Sequence, residues 1–153
     1  MRTAPLNYLL AFALSGLMWF LTGILMANWM GDNVSLAQMT VDEFIGTFRL
    51  ALTVAAALGF VLTAVWFSYG AKPNVAAKLP EARRFWTTLF VVSLAVALVA
   101  IVALVLLFGS EQLAATDYLV FFVAVTLVTW LSFWISSLLW SPTQVMNTVM
   151  GRR

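Results

Sequence analysis

The chain has 153 residues, 63% hydrophobic and 9% charged, with a formal charge of +2 and neither cysteine nor histidine. A soluble domain carries about 25% charged residues. Without Cys or His there are no disulfides, no thiol chemistry, no thiolate or imidazole metal site and no histidine-ligated haem. The basic residues are scattered among separate segments, so nothing points to nucleic acid.

All fourteen charges lie outside four stretches: Thr3 to Gly31, Leu50 to Ala71, Phe85 to Ser110 and Tyr118 to Gly151. About 20 apolar residues at 1.5 Å rise cross the hydrocarbon core of a bilayer. The chain therefore reads as an all-α integral membrane protein, a single domain over 1–153 built as a four-transmembrane-helix bundle. The predicted spans are 6–29, 50–69, 85–108 and 118–140.

Pro5 suits the opening turn of the first span, where no intrahelical donor is lost. The apolar run reaches Trp29, longer than the roughly 7–15-residue core of a cleavable signal, so it reads as an uncleaved helix. Gly31-Asp32-Asn33 is a turn signal. Thr40 and Glu43 then form a capping box, with Met39 and Phe44 as a hydrophobic staple. A short interfacial helix carrying Phe44, Ile45 and Phe48 is expected to lead into the second span.

Gly70 ends that span, and Lys72-Pro73-Asn74 opens the central loop. Pro80 and Glu81 suit the first turn of the third helix, and Gly109-Ser110 turns the chain after it. Thr116 or Asp117 can cap the fourth, which Ser141-Pro142 ends or kinks. In the tail, 142–153, residues Val145, Met146, Val149 and Met150 share a helical face. That suits either an amphipathic helix on the membrane surface, with Arg152 and Arg153 near anionic headgroups, or a frayed end.

Arg2, Lys72, Lys78, Arg83, Arg84, Arg152 and Arg153 fall at the two ends and the central loop. The other two loops hold Asp32, Asp42, Glu43, Glu111 and Asp117 with Arg49 alone as a base. The positive-inside rule then places both termini in the cytoplasm, as in a bacterial inner membrane protein.

Three groups of residues are candidates for a role. Ala55, Gly59 and Thr63, with Ser93, Ala97 and Ala100, form rows of small residues that let helix backbones approach. Such rows serve packing within the chain or a partner interface. Thr129, Ser132 and Ser136 make a polar stripe, which either bonds to nearby carbonyls or lines a narrow path. Arg49 is expected to pair with Glu111 or Asp117, or to hold a phosphate headgroup.

Among the tryptophans, Trp29, Trp66, Trp86 and Trp140 fit interfacial belts. Trp130 and Trp134 can pack between helices or stack on a quinone or lipid chain.

Catalysis by Ser or Thr needs a base, and none stands near these stripes. No enzyme, cofactor or metal is therefore expected. The expected function is that of a non-catalytic subunit, embedded in the lipid bilayer, that scaffolds or stabilises a larger complex of integral membrane subunits. The alternative is a homo-oligomeric channel or transporter with a hydroxyl-lined, charge-free path.

Overall fold

The computed structural model describes residues 5–33, 40–108 and 115–149. Within these the protein is all helical, with four helices long and apolar enough to cross a membrane. Helix α1 runs Pro5–Asn33 and contains a π turn at Leu21–Met26. Helix α2 is Val41–Gly70 and α3 is Leu79–Phe108. Helix α4 comprises Ala115–Thr126, a π turn at Leu127–Leu131 and Ser132–Trp140.

Short 3₁₀ turns at Val75–Lys78 and Met146–Thr148 complete the fold. Helices α2 and α4 meet along the centre, while α1 and α3 lie on the flanks, each packed against both.

The start of α2 is as its sequence dictates. The Glu43 N–H donates to Thr40 Oγ1 at 3.3 Å, and the Thr40 N–H donates back to Glu43 Oε2 at 3.2 Å, satisfying two otherwise orphaned donors. Met39, the proposed staple partner, lies outside the described residues. The residues of the expected interfacial segment form the first two turns of one uninterrupted α2. Phe44 and Phe48 are buried there, and Phe48 packs edge-on against Phe121 of α4, with centroids 5.2 Å apart.

The core has three layers along the bundle axis. Towards one end lie Met30, Phe44, Phe48, Leu52, Phe121 and Val128. Towards the other lie Trp66, Phe67, Trp86, Leu89, Phe133 and Val145. Between them every helix contributes a buried small or hydroxyl residue: Ser15 from α1, Gly59 and Thr63 from α2, Ser93 from α3, and Thr129 and Ser132 from α4. Bulky layers clamp the ends, and small residues allow close approach in the middle.

Two tryptophans assigned to interfacial belts are core residues. Trp66 and Trp86 are fully buried. The Trp66 indole donates to Ser141 Oγ at 2.7 Å, and the Trp86 indole to Ser137 Oγ at 3.1 Å. The hydroxyls of Ser141 and Ser137 in turn donate hydrogen bonds to the carbonyls of Ser137 and Trp134. This ladder ties α2 and α3 to the last turns of α4. A buried indole N–H needs an acceptor, and helix four supplies one every turn. Trp29 is exposed.

Gly70 is the last residue of α2, as expected. The left-handed residue in this turn is Asn74, with φ of 66°, while Gly70 is a site of contact. A Cβ there would stand 2.6 Å from Val145 Cγ2 and 2.9 Å from Pro142 Cγ. The segment after Pro142 therefore packs back onto the helix ends. Val145 and Val149 are buried against this cluster. Residues 150–153, which include Met150 and both terminal arginines, lie outside the described residues.

Ser137→Ala removes the acceptor of a buried indole. It is expected to destabilise the fold by about 1–3 kcal/mol, read as an earlier transition in detergent unfolding followed by tryptophan fluorescence. Unchanged stability would mean that the Trp86 N–H finds another acceptor.

Candidate functional site

The small-residue row of α2 and the polar stripe of α4 are two halves of one contact. A Cβ at Gly59 would lie 3.1 Å from the Thr129 carbonyl oxygen and 3.4 Å from Ser132 Cβ. Thr129 Oγ1 donates to the Ala55 carbonyl across a long 3.4 Å, and Thr63 Oγ1 donates to Gly59 within its own helix at 2.9 Å. Thr129, Ser132 and Ser136 are all fully buried. The stripe thus faces inward against α2 of the same chain. The hydroxyls of Ser15, Ser132 and Ser136 have no hydrogen-bond partner among the described residues.

On α3, Ser93 is fully buried and donates to the Phe90 carbonyl at 2.7 Å. Ala100 is partly buried against the core. The side chain of Ala97 lies outside the described ones.

Arg49 binds neutral groups. Its Nε donates to the Gly23 carbonyl at 2.9 Å, and Nη2 donates to Asn28 Oδ1 at 2.9 Å. Both acceptors belong to α1, and the first is a consequence of its π turn. The Ala27 N–H bonds to the carbonyls of Thr22 and Ile24. Gly23, whose carbonyl would accept that N–H in a regular α-helix, is left for the guanidinium. The expected carboxylates, Glu111 and the side chain of Asp117, lie outside the described residues. Sequence reading missed Gly23 and Asn28 because a π turn has no motif.

Trp19 completes this α1–α2 junction, donating to Thr53 Oγ1 at 2.9 Å, while Thr53 donates to the Arg49 carbonyl at 2.8 Å.

Trp130 and Trp134 stack on one another, 5.8 Å apart and 12° from parallel. Phe90 of α3 meets Trp130 edge-on at 5.9 Å. These rings fill the α3–α4 seam.

A larger apolar concavity lies elsewhere on the bundle surface. A groove of about 560 Å³ runs between α2 and α3, with Ala51, Ala55 and Leu58 on one wall, Ala95, Val99 and Ala103 on the other, and Val125 of α4 among its lining residues. Thr47 is the one polar residue at its rim. Among the described residues no cluster of acidic side chains could hold a metal ion.

Comparison of the chain with protein-family models, curated proteins and solved structures finds no match.

Gly59→Leu is expected to force α2 and α4 apart and to cost about 1–3 kcal/mol, as overpacking does. The check is unfolding in detergent, where unchanged stability would remove Gly59 from the seam. Arg49→Lys keeps the charge but cannot reach two acceptors from a planar fork. A loss of about 1.5–3 kcal/mol, the range for charge-assisted bonds, is expected in the same assay. Full retention would show that charge alone suffices.

Proposed function

We propose that this protein is a non-catalytic integral membrane subunit that scaffolds or stabilises a larger membrane complex, receiving a helix of a partner in the α2–α3 groove. The observation that carries this reading is the groove itself: apolar throughout its walls, rich in alanines, and open at the surface of the bundle.

Between helices in lipid there is no hydrophobic drive, so association rests on close packing. Small side chains on two facing walls provide it. Ala51 and Ala55 stand four apart on α2, as do Val99 and Ala103 on α3. The two internal stripes are already engaged with each other, whereas the walls of the groove are open to a second body.

The charge pattern supports an orientation for the reading. Lys72, Lys78, Arg83 and Arg84 gather where α2 ends and α3 begins, while Asp32, Asp42 and Glu43 gather at the opposite end. The positive-inside rule places the basic end and both termini in the cytoplasm, and a bacterial inner membrane is the setting proposed.

Groove filling tests the reading. The tagged full-length protein, recovered in nanodiscs, is expected to bring stoichiometric membrane proteins with it. Ala95→Trp is expected to reduce their recovery at least about tenfold, the loss of a well-packed contact, with unfolding unchanged. A clean homo-oligomer, or equal recovery with the groove filled, would overturn the proposal and direct attention to flux measurements.

A further inference from the structure

Helix α3 begins outside the hydrocarbon. Its 30 residues make it about 45 Å long at 1.5 Å per residue, comparable to the roughly 40–45 Å of a whole bilayer with its headgroups. Counting back about 20 residues from Phe108, the length that crosses the apolar core, reaches the neighbourhood of Thr88. Arg83 and Arg84 then stand at headgroup depth.

A cleft opens there between α3 and the folded-back segment that follows Pro142. It measures about 860 Å³ and is lined by Arg83, Arg84, Thr87, Thr88, Asn147 and Thr148, with Leu79 and Pro80 at its edge. That volume lies within the ~300–1,000 Å³ of small-molecule sites.

The chemistry of the lining is that of a phosphate site. Glu81, the nearest acid in sequence, is engaged by Lys78 at 3.6 Å. No described carboxylate lies within ion-pairing distance of Arg83 or Arg84. The hydroxyls of Thr87 and Thr88 donate to the Arg83 and Arg84 carbonyls at 2.9 and 3.0 Å. The donors facing outward are therefore the two guanidinium forks and the exposed Asn147 amide. Planar guanidinium groups match phosphate oxygens two at a time.

What lies below the cleft identifies the rest of the ligand. Arg84, Thr87, Val91, Leu98 and Val102 follow one another at helical spacing, and the last three are exposed. One face of α3 thus passes from cation through hydroxyl to bare hydrocarbon, the order of groups along a phospholipid. This face borders the α2–α3 groove at Ala95, four residues after Val91, while Val92, Val96 and Val99 turn further into the groove.

We propose that this cleft is a binding site for one anionic glycerophospholipid, with its phosphate between Arg83, Arg84 and Asn147 and its acyl chains along Val91 and Leu98. The proposal does not depend on which side of the membrane the basic end occupies. Nor does it depend on the partner proposed for the groove.

The test is native mass spectrometry of the full-length protein released from phosphatidylcholine nanodiscs that contain phosphatidylglycerol. The wild type is expected to retain one phosphatidylglycerol. Arg83→Lys with Arg84→Lys keeps both charges and removes both forks, and is expected to weaken retention about tenfold. Arg83→Gln with Arg84→Gln should weaken it further, while Lys72→Gln, outside the cleft, leaves it unchanged.

Equal retention by the double lysine variant would show diffuse attraction and overturn the site, as would an equal loss in Lys72→Gln. Displacement of the lipid by millimolar inorganic phosphate would assign the cleft to a free anion and overturn the lipid. Unfolding in phosphatidylcholine alone, expected to be the same for every variant, separates these outcomes from misfolding.

Discussion

The bundle depends on the contact of Gly59 with the backbone of Thr129. In water, two apolar helices associate because burial removes surface from solvent. In a bilayer the solvent is as apolar as the side chains, and only packing and hydrogen bonding remain. Such packing requires backbones to come close, and a glycine facing a carbonyl oxygen permits that where any Cβ would need the neighbour to give way. The hydroxyls of Thr63 and Thr129 sit beside this contact and turn back to carbonyls of α2. They bring polarity to the seam without placing an unmet donor in lipid. The central α2–α4 pair is thereby fixed, and α1 and α3 pack on its two sides.

The π turns serve the same end differently. An extra residue in a turn releases a carbonyl from the helix ladder. In α1 that carbonyl, Gly23, is taken by Arg49. A guanidinium near hydrocarbon must have acceptors, and here they are neutral and lie on a neighbouring helix. The cation is held without a counter-charge from any described residue, and α1 is joined to α2 by the same bonds.

Much of this was legible in the residues and some was not. The spans follow from uncharged runs longer than a bilayer needs, and the capping box of Thr40 and Glu43 follows from spacing alone. The rows at Ala55, Gly59 and Thr63 and at Thr129, Ser132 and Ser136 are each visible in sequence. That they meet each other is not, because periodicity gives a face and not its neighbour. Trp66 and Trp86 were misread because an indole near a span end suits both an interface and a buried hydroxyl. Only the arrival of Ser141 and Ser137 decides between them. The same holds for Gly70, whose reason lies 72 and 75 residues on, at Pro142 and Val145.

The placement of these ties accounts for the groove. At the basic end the helices are joined repeatedly. Asn7 bonds to Trp140, Tyr8 to Ser68, Trp66 to Ser141 and Trp86 to Ser137, and Gly70 packs under Pro142 and Val145. Towards the acidic end α1 is held to α2 by Arg49, and α2 to α4 by Phe48 and Phe121. Helix α3 stays packed against α4 there, but alanines and valines line the gap between it and α2. Such side chains are too short to fill that gap. A bundle tied at one end therefore opens at the other between the same two helices. Each half then offers the surface its proposed neighbour needs: cations and ties for lipid headgroups at one end, and small walls for an inserted apolar helix at the other.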